Sequence, residues 1–283
     1  DTEGFYFPQT FPIFQEAHDF FVNTKKQTAT QHLFTNKQLR TLLVPIMVEQ
    51  LLSSLMGTAD TMMVSNVGSA AISAVSLVDA INILVIQALS ALAAGGAILC
   101  SQYLGSQNLK KAKRSAEQVL FVMLVLSCSL SLLCLIFRFP LLRLIFGTVD
   151  TDVMANSQIY FFFTLLSFPF IGLYDAGASI LRAQNNTKGP MTISILSNFL
   201  NIGGNAILIF VFGMGVAGAA ISTLVSRIFC AIVVIWQLRN PAEQIYVRNY
   251  FSIRPDWSLI KRVLFIGIPS GIENSMFQFG KLA

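Results

Sequence analysis

The chain has 283 residues, 54% of them hydrophobic and only 12% charged, with 24 phenylalanines and a mean hydropathy of +0.65. Soluble domains carry about 25% charged residues, so composition excludes a soluble globule and predicts an all-α, polytopic membrane protein. The net charge of +5 sits in the loops between apolar segments, where it reports membrane orientation rather than a nucleic-acid partner. Cys100, Cys128, Cys134 and Cys230 occur singly, without CxxC spacing or neighbouring histidines, so neither a disulfide framework nor a metal site is expected.

In chain order, residues 1–37 come first. They hold both histidines, His18 and His32, and a phenylalanine-rich stretch broken by Pro8 and Pro12. No charged segment is followed by a continuous apolar core, so this is read as a cytoplasmic N-terminal segment and not a signal peptide. Crossing the hydrocarbon core takes about 20 apolar residues. Seven stretches qualify: Leu39–Val64, Ala71–Leu99, Val119–Phe137, Ile159–Leu181, Met191–Phe212, Val216–Leu238 and Val263 to Ala283. The expected organisation is a six-helix lobe over 38–238, a cytoplasmic basic linker over 239–262, and the first, truncated helix of a second lobe over 263–283.

Loop charge supports this order. Lys25, Lys26, Lys37 and Arg40 precede the first span; Lys110, Lys111, Lys113 and Arg114 follow the second. Arg182 and Lys188 follow the fourth, and Arg239, Arg248, Arg254, Lys261 and Arg262 follow the sixth. The intervening loops hold only Arg138 and Arg143, offset by Asp150 and Asp152. An excess of lysine and arginine marks cytoplasmic loops, so the N-terminus is expected in the cytoplasm and the protein in the plasma membrane.

Ionisable and amide side chains within the spans are the candidate functional residues, because a charge in hydrocarbon must face the bundle interior or a wet cavity. Glu49 and Asp60 lie eleven residues apart on the first span, on one helical face and about 16 Å apart along the axis, with Gln50 and Ser53 nearby. Glu49 is alternatively a solvated group at the cytoplasmic end. Ser194, Asn198, Asn201 and Asn205 recur at i, i+4, i+7 and i+11, one stripe of the fifth span. Such a stripe coordinates a cation, binds a ligand or bonds neighbouring helices. Asp175 and Arg182 are expected to form a structural ion pair, and Arg227 to need a buried acidic partner, Asp79 or Asp175. Gly95-Gly96 and the glycines from Gly213 to Gly218 are expected to permit close packing and a tight turn.

Proline, then glutamate four residues later, then a side-chain amide occurs twice, at Pro45-Glu49-Gln50 and Pro269-Glu273-Asn274. Repetition of an intramembrane proline and carboxylate suggests two related halves around a central path, as in transporters. The run Pro45-Ile-Met-Val-Glu49-Gln50-Leu-Leu-Ser-Ser-Leu-Met-Gly57-Thr-Ala-Asp60-Thr-Met-Met-Val, the loop Ser101-Gln102-Tyr-Leu-Gly105-Ser-Gln-Asn, the segment Leu181-Arg182-Ala-Gln-Asn-Asn-Thr187-Lys188-Gly-Pro190 and the asparagine stripe together resemble the multidrug and toxic compound extrusion (MATE) family. The resemblance runs from about Thr35 to the end of the chain and implies the N-terminal lobe, plus the start of the seventh helix, of a twelve-helix bacterial-type exporter.

What the resemblance implies is an antiporter, not an enzyme, that exports cationic or amphiphilic small molecules in exchange for protons or sodium. It implies no cofactor beyond that coupling ion, no obligate protein partner, and no partner other than substrate and lipid bilayer. Asp60 matches the family's coupling aspartate, Asn201 an asparagine beside it, and Asn205 a position where some members carry a second aspartate. Gln50, Glu49, Ser194, Asn198 and Glu273 would belong to the substrate cavity or its polar network. A related lipid or lipid-linked oligosaccharide flippase is the alternative, but its anionic substrate calls for several cavity arginines and only Arg227 lies mid-span. A membrane-embedded enzyme would need clustered aspartates, a histidine-rich motif or a serine-containing catalytic loop, and both histidines lie outside the spans.

Overall fold

A computed structural model describes residues 36–147, 149–247 and 255–282. The described residues are helical throughout, with no strand, as expected. The chain divides into two units, Asp1–Leu43 and Val44–Ala283. Of the first, the described part is the opening of a helix, in which the Thr41 hydroxyl donates to the Lys37 carbonyl at 2.8 Å. Most of the predicted N-terminal segment, both histidines, Arg248 and Arg254 lie outside the described residues.

The helices are α1 (Asn36–Val64), α2 (Ser69–Gly105), α3 (Leu109–Ile136), the short α4 (Arg138–Phe146), α5 (Thr151–Ala183), α6 (Lys188–Asn205), α7 (Gly215–Leu238) and α8 (Trp257–Leu282); a π-helical segment, Ala206–Val211, prolongs α6. Among the described residues, six helical stretches are long and apolar enough to cross a membrane: Leu39–Val64, Ser69–Gly105, Leu109–Ile136, Thr151–Ala183, Lys188–Val211 and Gly215–Leu238. They coincide with the first six predicted spans, and the seventh lies on α8.

Helix ends differ from the hydropathy reading in one direction. The stretch Ser101–Gly105, read as loop, forms the last turn of α2, and the basic run Lys110–Arg114 opens α3 instead of preceding it. Hydropathy sees only the apolar section, whereas backbone hydrogen bonding continues into water until a cap stops it. Here the caps are polar: Asn108 Oδ1 accepts from the Lys111 amide at 3.1 Å, and Asn186 Oδ1 from the Gly189 amide at 3.0 Å. Asp256 does the same for α8, accepting from the Ser258 hydroxyl at 2.8 Å and its amide at 3.1 Å. The Ser258 hydroxyl, with Arg114 at 3.1 Å, holds the Asp256 carboxyl below its ordinary value. Helix α8 thus begins within the stretch read as linker. Helix α4, on which Arg138 and Arg143 sit, was read as loop because it is too short for a span; it buries Leu142.

Within Val44–Ala283, α5 is the central helix, flanked by α2, α3 and α7; α6 packs on α7, and α8 along α2. Apolar packing falls into two clusters. One joins α2, α3, α5, α7 and α8 around Leu99, Val119, Met123, Ile180, Val234 and Val263. The other gathers Val64, Val75, Val78, Phe161, Phe168 and Val216 toward the opposite end of α5. Helix α1 takes almost no part: from Val44 onward it buries only Pro45, Glu49, Asp60 and Val64, one stripe of its surface.

The α2–α8 contact is made backbone to backbone. A Cβ on Gly95 would fall 2.6 Å from the Gly267 nitrogen, and one on Gly267 would fall 2.9 Å from the Leu92 Cα. Small residues let membrane helices approach this closely. Gly213 and Gly215, at φ 64° and 55°, form the tight turn between the π segment and α7. Gly95→Leu is therefore expected to destabilise the folded protein by about 1–3 kcal/mol. Gly57→Ala, whose Cβ meets nothing within 4 Å, should be neutral or stabilising by up to ~1 kcal/mol, both read by thermal unfolding in detergent.

Candidate functional site

Buried polar side chains gather into three groups. The first is built on Asp60, which α1 presents 5% exposed. Asn205 Nδ2 donates to its Oδ1 at 2.5 Å and Thr223 Oγ1 to its Oδ2 at 3.4 Å. Asn201 Nδ2 donates to Thr223 Oγ1 at 3.3 Å, and Asn205 Nδ2 lies 3.5 Å from Asn201 Oδ1. Asn201 and Asn205 are fully buried. Their placement follows from the sequence: i, i+4 on α6 puts both amides on one face, and Ser222 on α7 fixes that face by donating to the Asn201 carbonyl at 2.7 Å. The π segment begins directly after Asn205, and such widened turns recur at functional sites.

Oxygen dominates this group. The Asp60 carboxylate, the Asn201 Oδ1 and the Thr223 hydroxyl are joined by Asn205 Oδ1, which is buried and has no hydrogen-bond donor. Asp79 and Arg227 are the charges that act on Asp60 through space. A set of hard oxygen acceptors around one carboxylate suits a proton or a hard cation and offers nothing to a soft metal. No cluster of three histidine, cysteine, aspartate or glutamate side chains exists among the described residues.

The second group centres on Asp79 of α2, whose Oδ1 accepts from Asn82 Nδ2 and from the Tyr160 hydroxyl of α5, each at 3.2 Å. Arg227, four residues beyond Thr223 on α7, donates to Ser167 Oγ at 2.6 Å. The expected direct ion pair of Arg227 with Asp79 or Asp175 is not formed: a hydroxyl of α5 takes its Nη1, and no carboxylate among the described residues lies within 4.0 Å.

The third group corrects the other expected pair. Arg182 Nη1 meets Glu49 Oε2 at 2.9 Å, not Asp175. The Tyr174 hydroxyl donates to Glu49 Oε1 at 2.8 Å. The reason is geometric, since α1 brings Glu49 across to the end of α5 whereas Asp175 lies two turns back along the helix that carries Arg182. Glu49 is 7% exposed and so is not the solvated end group of the alternative reading.

Of the remaining candidates, Gln50 is exposed and takes no part in the network. Ser194 and Asn198 are buried, but Asn198 Nδ2 turns back to the Ser194 carbonyl at 2.9 Å. The stripe is therefore divided, with its second half on Asp60 and its first half bonded within α6. Glu273 sits on α8, its side chain outside the described residues. Tyr160, Ser167, Tyr174 and Thr223 escaped sequence reasoning. Their signal was the seven-residue spacing of Tyr160, Ser167 and Tyr174 along one face of α5, and the four-residue spacing of Thr223 and Arg227.

All-helical structure with membrane-length apolar helices, enclosing a carboxylate bonded by Asn205 and Thr223, defines the class as a polytopic membrane protein. The chain belongs to the MatE family, which it matches over residues 45–207. It is 30% identical to "Uncharacterized transporter YisQ" of Bacillus subtilis over 84% of this chain and 52% of that one. It is 29% identical to "Probable multidrug resistance protein NorM" of Thermotoga maritima over 87% and 53%. The fold also matches an outward-facing multidrug resistance MATE family transporter, with a TM-score of 0.77 and 24% identity, over 84% of this chain and 52% of that one. The chain thus spans about half the length of the curated relatives it matches.

The Asp60–Asn205 bond is testable by a double-mutant cycle of Asp60→Ala and Asn205→Ala in detergent unfolding. A coupling of about 1.5–3 kcal/mol is expected, the range for a hydrogen bond to a charged group. Asn198→Ala with Asp60→Ala should show no coupling.

Proposed function

We propose that this lobe is the cation-coupling half of an exporter that expels cationic or amphiphilic small molecules in exchange for protons or sodium. The single observation that carries the reading is the enclosure of Asp60 by Asn205 and Thr223, with Asn205 Oδ1 left as a free acceptor. In the unloaded state the carboxylate depends on two donors from α6 and α7. A proton or a sodium ion arriving at Asp60 competes with those donors and rearranges them. That rearrangement is the change an alternating-access cycle needs, because a ligand shifts a conformational equilibrium only through a difference in its contacts between states.

Membership of the MatE family supports the transport class, and the description of the Thermotoga maritima relative as a probable multidrug resistance protein supports the substrate class. The positive charges at the start of α1, the start of α3, the junction of α5 and α6 and the end of α7 support a plasma-membrane protein with its N-terminus in the cytoplasm.

The experiment is gradient-driven efflux of a cationic dye from cells or proteoliposomes containing the intact protein, under a pH gradient and, separately, a sodium gradient. Asp60→Asn is expected to lower the rate at least ~10-fold, equivalent to ~1.4 kcal/mol in the coupled step, while Gln50→Ala leaves it unchanged. Undiminished gradient-driven efflux by Asp60→Asn would remove Asp60 as the coupling site. The gradient that sustains wild-type efflux identifies the ion.

A further inference from the structure

Helix α1 is fastened to its lobe by an unusual means. Between Val44 and Val64 only Pro45 and Val64 among its apolar side chains are buried, and Val44, Met47, Leu51, Leu55 and Met62 are each more than half exposed. Among the described residues, cross-helix hydrogen bonds from this stretch run through two carboxylates only, Glu49 to Arg182 and Tyr174, and Asp60 to Asn205 and Thr223. The two fastenings lie about 16 Å apart along the axis, and the helix between them is soft. Gly57 has no neighbour to pack against, and the Thr58 and Thr61 hydroxyls bond back to the carbonyls of Ser54 and Gly57, a pattern that loosens and bends helices. Pro45, one turn before Glu49, removes a further backbone hydrogen bond. The fastening at Glu49 can therefore open without the one at Asp60.

Opening it would ordinarily strand the Arg182 guanidinium, which is a quarter exposed. Loss of one partner from a buried ion pair is strongly unfavourable because the other charge is left uncompensated. The structure supplies a second acceptor. Asp175, seven residues before Arg182 and so on the same face of α5, has a buried Oδ2 with no hydrogen-bond partner. Arg182 and Glu49 are both among the charges that act on it. In the closed arrangement, with Arg182 on Glu49, that carboxylate oxygen is left without a donor.

We propose that Glu49, Tyr174, Asp175 and Arg182 form a two-position latch for α1 at Glu49. In the closed position Arg182 holds Glu49. In the open position Arg182 turns to Asp175, Glu49 is released, and α1 stays fastened at its Asp60 end. Glu49, Arg182 and Asp175 are thus positioning residues: they set where the Glu49 end of α1 lies, while the Asp60 end keeps its own contacts to Asn205 and Thr223. The link to export rests on the transport reading above; the latch itself rests on the contacts of α1 and α5.

The test is a pair of spin labels on the intact protein at Met47 of α1 and Trp236 of α7, both exposed, in a background with the four cysteines replaced by alanine. The distance distribution is measured in nanodiscs without substrate or ion gradient, so its outcome does not depend on whether the protein exports anything. Glu49→Gln is expected to raise the population of the displaced α1 position at least ~10-fold, as loss of one ion-pair partner requires. Asp175→Asn should do the reverse and narrow the distribution, and in the Glu49→Gln background it should reduce the displaced population again. A static ion pair would respond to Glu49→Gln but not to Asp175→Asn, and that result overturns the proposal. An unchanged distribution in Glu49→Gln overturns it as well. Should Glu49→Gln fail to fold, Arg182→Lys, which keeps the charge but loses the fork, must raise the displaced population, and no change there counts equally against the latch. Failure of Asp60→Asn to impair efflux would refute the coupling role of Asp60 and leave these distances as they are.

Discussion

A carboxylate removed from water must be met by donors, and in this protein that requirement governs how the first helix is held. Among the described residues, α1 from Val44 onward has few apolar contacts beyond Val64, so the hydrophobic packing that fixes α2, α3, α5 and α7 holds little of it. Glu49 and Asp60 do. Each takes two donors from other helices, and the residues that supply them, Tyr174 and Arg182 on α5, Asn205 on α6 and Thr223 on α7, are placed by the packing of those three helices on one another. The apolar clusters therefore position the donors, the donors position α1, and α1 positions the carboxylate that the proposed function uses.

This division of labour separates strength from mobility. The α5 hub buries large side chains at Phe161, Leu165, Phe168 and Ile180, contacts that rearrange only together because cores are close-packed. Hydrogen bonds to charged groups are each worth a few kcal/mol at most, and they are lost or gained by a change in protonation or ion occupancy. A helix tied by such bonds responds to chemistry that would leave a packed helix unmoved. Arg227 keeps to the background of this arrangement: held by Ser167, it acts on both Asp60 and Asp79 through space without bonding to either.

Much of the architecture was legible from the sequence, and the reasons for the misses are physical. Hydropathy located the six spans of the lobe because burial in lipid demands long apolar runs whatever the tertiary fold. It misplaced the starts of α3 and α5 because a helix does not end where the membrane does. Asp60, Asn201 and Asn205 could be singled out by spacing on their own helices, and they meet. Which carboxylate Arg182 would choose could not be read that way. The sequence offered a partner seven residues off on the same helix, and the fold supplied another 133 residues away. Helical periodicity tells which side chains share a face, while partners between helices depend on rotation and depth, which only packing sets. Tyr160, Tyr174 and Thr223 were passed over for the same reason, since a lone hydroxyl in an apolar run becomes a site residue only when a carboxylate faces it.

The π segment after Asn205 gives the sixth span an independence of its own. A turn closed by i to i+5 hydrogen bonds, such as Phe212 to Ile207 at 3.0 Å, holds one residue more than an α-helical turn and advances the helix face by about 100°. The angle at which Asn201 and Asn205 face α1 is thereby uncoupled from the angle at which the chain enters the Gly213–Gly215 turn. Deleting one residue between Ala206 and Val211 would restore a regular helix and force a choice between the two, either swinging the asparagines off Asp60 or tearing the turn from α7. The extra residue acts as a rotational joint, letting one helix satisfy two neighbours whose demands a regular α-helix could not meet together.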